Sequence, residues 1–392
     1  MLFWLVNVLD GRLPDWIMSI PRVLYQEQFR ALAAAGLSFG LVLFFGKPTI
    51  AQLVKFKIGD AGLTDAEALR RGAASKKNTP TMGGVLTSGS VVVATLLLGD
   101  LGNFYVMAGL LLLLSLTIVG GADDVLKMLA SRREGGRQGL HSWEKLLFQL
   151  GVGALVSFFV FRHGDTGSGQ DLAHVLNLPF QRTTLPGTGE NNPGEIFLPV
   201  GVFVIIGTLL IAGMSNATNI SDGMDGLAGG LGAIASAGTV VLAMIAGWQA
   251  TAQSLLIPYV PGAEELSILA GAMLGACLGF LWWNGFPAQV FMGDTGSLAI
   301  GGMFGYLALV TRQEAVVLLM CGVFLLEIAS VVLQVGYFKW TKRSGEGKRI
   351  FLCAPYHHHL HLGGLAEPKV VARLWIVGVL LLVLALASIK LR

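Results

Sequence analysis

Long apolar runs alternate with polar connections along most of the chain. The runs lie at roughly 24–46, 82–99, 104–122, 146–161, 196–214, 226–247, 265–283, 296–311, 315–338 and 371–389. An α-helix needs ~20 apolar residues to cross a hydrocarbon core of ~30 Å, and most of these runs come near that length. The pattern predicts an all-α polytopic membrane protein of about ten transmembrane helices, forming one integral-membrane domain over 1–392. The runs at 82–99 and 296–311 are the weakest, being short and rich in glycine.

Composition agrees. The chain is 54% hydrophobic and only 13% charged, whereas a soluble domain carries about 25% charged residues. Its 392 residues are therefore accounted for by spans rather than by several soluble domains. Cys277, Cys321 and Cys353 supply no disulfide framework. Asp10 and the lack of a basic start before a small-residue cleavage site argue against a removable leader.

The net charge of +3 is too small to point to a nucleic-acid partner, and the distribution of the cations is more telling. Lys47, Lys55, Lys57, Arg70, Arg71, Lys76 and Lys77 follow the first run. Lys127, Arg132, Arg133, Arg137 and Lys145 follow the third, and Lys339, Lys342, Arg343, Lys348, Arg349 and Lys369 follow the ninth. Basic loops stay in the cytoplasm. The expected cytoplasmic loops are thus 47–81, 123–145, 215–225, 284–295 and 339–370, with both termini outside; Arg12, Arg22 and Arg30 oppose that orientation. Segment 163–195, rich in Gly, Pro, Thr and Asn, is expected as an extracytoplasmic loop with hairpin character. Thr64-Asp-Ala-Glu67 fits a capping box and a short helix.

The cytoplasmic set carries the chemistry. The stretch Ser215–Gly230 reads SNATNISDGMDGLAGG and places Asn216, Asn219, Asp222 and Asp225 three residues apart between two apolar runs. At ~100° per residue these four drift across about half a helix surface, so one regular helix cannot aim them all at one ion. Asp123-Asp124 ends the third run, and Asn284 opens a loop containing Phe291-Met-Gly-Asp294-Thr-Gly-Ser297. Five aspartates thus gather at one membrane face. Carboxylates that close raise one another's pKa unless cations intervene. A hard divalent cation with oxygen ligands resolves the conflict, and Mg²⁺ held by carboxylates and substrate phosphates is the arrangement phosphoryl transfer requires. Plainer readings exist: Asp123-Asp124 as an acidic helix end, 216–225 as a polar cap, Lys76 and Lys77 as topology signals. His357-His358-His359 without paired cysteines fits phosphate or carboxylate partners better than zinc. Glu327, inside the ninth run, is a functional candidate by its position, with a helix–helix hydrogen bond as its favoured role.

Lys76-x-x-Thr-Pro-Thr81-Met-Gly-Gly84, Asp123-Asp124, Asn216-x-x-Asn-x-x-Asp-Gly-x-Asp-Gly-Leu-Ala228, Phe291-Met-Gly-Asp-Thr-Gly-Ser297 and Ala354-Pro-x-His-His-His359 resemble, in collinear order, the phospho-N-acetylmuramoyl-pentapeptide-transferases. Those enzymes belong to the polyprenyl-phosphate N-acetylhexosamine-1-phosphate transferases. The resemblance implies a ten-helix fold in the cell inner membrane, often dimeric, with a cytoplasmic Mg²⁺ site. It implies transfer of phospho-MurNAc-pentapeptide from UDP-MurNAc-pentapeptide to undecaprenyl phosphate, giving lipid I and UMP for peptidoglycan synthesis. By motif, Asp294 is then the metal ligand, with Asp123 and Asp124 at the metal and the lipid phosphate. Lys76, Asn284, Asp225 and Phe291 would line the nucleotide pocket and Asn219 and Asp222 the sugar–diphosphate region, with Thr81 and Asn216 as further nucleotide- or substrate-binding residues. His357, His358 and His359 would meet the donor's phosphates or sugar. Asn78 stands where the family has glycine before Thr-Pro-Thr, and His361 where an acidic residue follows the histidines. A sibling transferase using UDP-GlcNAc and an ion-coupled transporter are the rival readings; a transporter would place its carboxylates near the midplane.

Overall fold

The computed structural model describes residues 1–12, 14–19, 21–55, 79–131, 139–166, 171–178, 180–185, 191–343 and 345–390. Lys76, Asn78, the Thr64–Glu67 segment, and the loop cations Lys57, Arg70, Arg71, Lys77, Arg132, Arg133 and Arg137 lie outside them. Among the described residues the chain is an all-α polytopic membrane protein. Each of the ten apolar runs falls on a helix: α1 (Glu27–Lys55), α2 (Gly84–Leu98), α3 (Phe104–Ser131), α4 (Ser142–Gly164), α5 (Val200–Ser221), α6 (Leu227–Gly247), α7 (Leu266–Asn284), α8 (Gly293–Thr311), α9 (Gly322–Lys342) and α10 (Glu367–Ile389). Short helices at Leu2–Leu9, Gln249–Ser254, Glu314–Met320 and Tyr356–Leu362 complete the framework.

Eight of the helices are long and apolar enough to cross a bilayer. The two outside that group are α2, with 15 residues, and α8. These are the two runs whose pattern was weakest, and α8 shows why. Every residue from Asp294 to Thr311 is buried, with α2, α3, α5 and α6 packed around it. A helix enclosed by protein does not need lipid-facing Leu and Ile; it needs small residues that let neighbouring backbones approach. At Gly120 on α3 an added Cβ would lie 2.2 Å from the Asp294 carbonyl oxygen of α8. The ninth run is broken, because Glu314–Met320 stops at Cys321 before α9 begins.

Several helices run further than their apolar stretches. α5 continues to Ser221 and α3 to Ser131, so Asn216, Asn219, Asp123 and Asp124 lie on helices rather than in loops. Their polar side chains bond to other helices instead of water, so the backbone has no reason to unwind. The described part of 163–195 holds the end of α4 and a 3₁₀ turn at Leu172–His174. Isolated bridges Val175–Phe197 and Thr184–Asn191 stand where hairpin character was expected.

The two ends of the bundle differ. At one end the Met1 ammonium donates to the Leu96 carbonyl at the close of α2 (2.6 Å), and buried Arg30 pairs with Glu265 (2.8 Å). Arg22 pairs with Asp10 and Asp15. At the opposite end lie the start of α2, the end of α3, and the starts of α8 and α10. Both described chain ends therefore sit away from the polar loops. Gly120→Val should cost about 1–3 kcal/mol through overpacking, read as a lower midpoint of thermal unfolding in detergent. Gly151→Ala on α4, where a Cβ meets nothing within 4 Å, should leave that midpoint unchanged.

Candidate active site

The centre of the polar end is the first turn of α8. Gly293 has φ +71, which turns the chain from the 285–292 loop into the helix and leaves its first N–H groups pointing at α3. Asp124 takes them. Its Oδ1 accepts from the Asp294 N–H (3.3 Å), and its Oδ2 accepts from the Thr295 N–H (3.0 Å) and the Thr295 hydroxyl (2.6 Å). Asp124 thus caps a helix to which it does not belong, and its charge faces the positive end of the helix dipole.

Asp123 and Asp294 meet beside this cap. Asp123 is fully buried; its Oδ1 accepts from the Leu140 N–H at 2.7 Å. Its Oδ2 lies 2.8 Å from Lys127 Nζ and 3.3 Å from Lys145 Nζ. Asp294 Oδ2 faces the same two ammonium groups, at 3.4 and 2.8 Å. Its Oδ1 accepts from the Asn219 carboxamide at 2.8 Å. Asp123, Asp124 and Asp294 each offer an oxygen within 4.8 Å of the others, so they could hold a metal ion. The donor set is hard and anionic, and two lysines leave one of three carboxylate charges uncompensated among the described residues. Both features fit a divalent cation.

The four polar residues of α5 and its following turn divide their work. Asn216 turns to α4, donating to Gln149 Oε1 (2.6 Å), and does not reach the acid cluster. Asn219 ties Asp294 to Ser297. Asp222 accepts from the Gly293 N–H at 3.1 Å. Enclosure by protein pushes its carboxyl well above the usual carboxylate range; the charges of Asp294, Asp124 and Asp225 add to the rise, and the Gly293 bond opposes it. Asp225 accepts from the Ala288 N–H at 3.0 Å, while its own N–H donates to Glu367.

The next loop is held from both sides. Asn284 bridges the loop through its carboxamide, accepting from the Gly226 N–H and donating to the Val290 carbonyl, each at 2.9 Å. Phe291 is half-buried, and its backbone pairs with Pro80 and Gly83. That pairing lays the half-buried Thr81 beside Phe291. His357 is fully buried against Glu327, and an added Cβ on Gly223 would meet its Nε2 at 2.6 Å. His358 and His359 are half-buried on the same short helix; the latter's Nδ1 accepts from the Leu352 N–H. The departure His361 bonds through Nδ1 to the Leu365 carbonyl, a local brace of that helix end.

The sequence had marked Lys127 and Lys145 only as topology signals. The spacing Asp123 to Lys127, one helical turn, was the available clue. Nothing along the chain pointed to Lys145 reaching the same acids. Glu327 does make an interhelical hydrogen bond, with His357 as its partner.

A phospho-N-acetylmuramoyl-pentapeptide-transferase signature matches residues 76–86, and the glycosyl transferase family 4 model matches residues 106–312. The phospho-N-acetylmuramoyl-pentapeptide-transferase of Thermodesulfovibrio yellowstonii is 40% identical over 380 residues, covering 97% of this chain and 98% of its own. The chain belongs to the phospho-N-acetylmuramoyl-pentapeptide-transferase family. The transferase of Desulfotalea psychrophila is similar at 41% identity over 93% of each chain, and that of Parabacteroides distasonis at 34% over the whole of both. The transferase signature ends in the segment that pairs with Phe291. The family 4 match runs from α3 through α8 and so contains the acid cluster. Glu327 and His357 lie beyond both.

The cap predicts a separation of roles. Asp124→Ala should lower stability by about 1–2 kcal/mol, because several α8 donors lose their acceptor. Asp123→Asn keeps an acceptor for Leu140 and leaves both lysines facing Asp294, so it should cost about 0.5–1 kcal/mol, less than Asp124→Ala. Thermal unfolding followed by tryptophan fluorescence distinguishes the two.

Proposed function

We propose that this chain moves phospho-MurNAc-pentapeptide from UDP-MurNAc-pentapeptide to undecaprenyl phosphate, forming lipid I and releasing UMP, as the first membrane step of peptidoglycan synthesis. One observation carries the reading. Three buried carboxylates and two lysines meet at one end of a membrane bundle, joined there by Asn219 and Thr295. A diphosphate donor requires such a site, which must balance several negative charges at once.

In this reading Asp294 is the direct ligand of a Mg²⁺ ion, with Asp123 and Asp124 beside it. The ion supplies charge neutralisation across the phosphates. An oxygen of the lipid phosphate attacks the β-phosphorus of the donor. The bond from that phosphorus to the bridging oxygen breaks, and the oxygen leaves with UMP. Asp123 orients the attacking phosphate. Lys127 and Lys145, already poised between Asp123 and Asp294, turn to the phosphates when these enter. Lys76, Thr81, Asp225, Asn284 and Phe291 form the nucleotide side, with the Phe291 ring available to stack on uracil. Asn219 and Asp222 face the sugar–diphosphate, and His357, His358 and His359 close the far wall. Asn216 braces α5 against α4.

The site end is cytoplasmic in the cell inner membrane, all ten helices span, and both termini lie outside. Arg22 and Arg30, two of the three arginines that oppose this orientation, each pair with acids of the fold. Residues 1–392 act as one domain, within a homodimer.

Asp294→Asn should reduce UMP release from UDP-MurNAc-pentapeptide and undecaprenyl phosphate by at least ~10²-fold, with the variant still folded in detergent. Near-parental turnover of that variant at saturating Mg²⁺ would sink the metal assignment. UMP release from UDP-GlcNAc in preference would move the chain to the sibling activity, and solute uptake into liposomes without UMP release would replace transfer by transport.

A further inference from the structure

The end of α9 is uncovered and strongly basic. Val332, Leu333 and Trp340 are each more than half exposed. On a helix of ~3.6 residues per turn, Val332, Gly336, Lys339 and Arg343 share one stripe, with Leu333 and Trp340 beside it. α9 is long and apolar enough to cross a bilayer, so its uncovered apolar residues face lipid. Trp340 lies ~10 Å further along the axis than Leu333, at ~1.5 Å per residue, and lysines and arginines surround it in the sequence. A tryptophan at that point marks the headgroup level of a membrane.

Beyond α9 the chain folds back on the helix end. The Thr341 hydroxyl accepts from the Lys348 N–H at 2.8 Å. The buried Gln334 side chain accepts from the Ile350 and Phe351 N–H groups (2.9 and 3.0 Å) and donates to the Phe351 carbonyl (3.0 Å). An added Cβ on Gly347 would meet the Phe338 ring at 2.5 Å. This built hairpin brings Lys348 and Arg349 back to the helix end that carries Lys339, Lys342 and Arg343, and it leaves Ile350 and Leu352 exposed. All five cations are exposed, and Glu346 is the one acid among the described residues of 337–352. Exposed apolar side chains interleaved with cations are what an anionic bilayer surface binds. An acidic soluble partner would use the cations but not a tryptophan continuous with a lipid-facing stripe.

We propose that the end of α9 and the hairpin after it form a docking surface for anionic phospholipid headgroups. Trp340, Ile350 and Leu352 enter the acyl boundary, and the five cations meet the phosphodiesters. The hairpin is also a support of the histidine helix: the Leu352 N–H donates to His359 Nδ1 at 3.2 Å, and the Phe351 and His359 rings lie 5.5 Å apart between centroids. The docking surface follows from exposure, charge and hydrogen bonding alone and is independent of the reaction assigned to the chain.

Fluorescence quenching on the full-length chain tests this. The protein is placed in phosphatidylcholine nanodiscs containing, at equal mole fraction, either dibrominated phosphatidylcholine or dibrominated phosphatidylglycerol. The Trp340 signal is the difference between the parent and Trp340→Phe. Both lipids should quench it, the anionic one at least about twofold more, because each cation near an anionic surface favours it roughly fivefold and the label competes with excess phosphatidylcholine. Salt at ~0.5 M should bring the two to equality. So should the joint replacement Lys339→Gln, Lys342→Gln, Arg343→Gln, Lys348→Gln and Arg349→Gln, with quenching by the zwitterionic lipid retained. No quenching by either lipid overturns the docking surface. Equal quenching in the parent at low salt, or a preference that survives the joint replacement, overturns the selection of anionic headgroups. A preference erased by an equimolar amount of undecaprenyl phosphate gives the surface to that lipid and overturns the phospholipid assignment. Should the joint variant fail to fold, the salt dependence of the parent and the pair Lys348→Gln and Arg349→Gln, which lies outside α9, decide.

Discussion

Burial of ionised carboxylates at the end of an apolar bundle is the constraint on which the rest of this structure depends. Such groups are tolerated only where donors or cations meet them. Asp124 meets the constraint by accepting from the first turn of α8, Asp123 by accepting from Leu140 and two lysines, and Asp294 by engaging Asn219 and the same lysines. Each solution joins two or more helices. The polar groups are therefore also the fasteners that set the relative positions of α3, α4, α5 and α8.

That coupling explains the character of α8. A helix whose N-terminus must receive acids from its neighbours has to be central, and a central helix is covered on all sides. Small residues at its contacts then matter more than hydropathy, because van der Waals packing holds helices together in lipid. The close approach at Gly120 brings the backbone of α3 against Asp294 itself. Side-chain chemistry and backbone packing are thus specified by the same few residues, which places the acids on rigid elements.

Much of this was legible along the chain, and the exceptions have physical causes. The ten apolar runs marked ten helices because lipid exposure demands continuous hydrophobicity, and the signal faded only at α2 and α8, which lie largely among protein. Helical drift ruled out one regular helix aiming 216, 219, 222 and 225 at a single ion; α5 ends at Ser221, Asn216 bonds to Gln149 and Asp225 accepts from Ala288. The capping role of Asp124 could not be read, because its acceptor geometry joins residues 170 positions apart. Lys145 was read from its loop rather than from its reach, since a long flexible side chain carries no periodic signal. Asn284, read as a ligand contact, also braces its loop, bonding the Gly226 N–H and the Val290 carbonyl, partners far or hidden in sequence.

The two ends of the bundle give the clearest argument for where function lies. The end holding the chain termini also buries charge, in Arg30–Glu265 and Arg312–Glu314. Each of these buried arginines meets a carboxylate of the fold, Arg30 facing Glu27 as well as Glu265. At the opposite end three aspartates face two lysines among the described residues, while burial and these neighbours raise the pKa of Asp222 beside them. The excess of carboxylate in this described cluster is what a hard cation would offset. In the proposed transfer, a cation arriving with a diphosphate would balance the acids while the two lysines turn to the phosphates, so one ligand would satisfy both sets of groups.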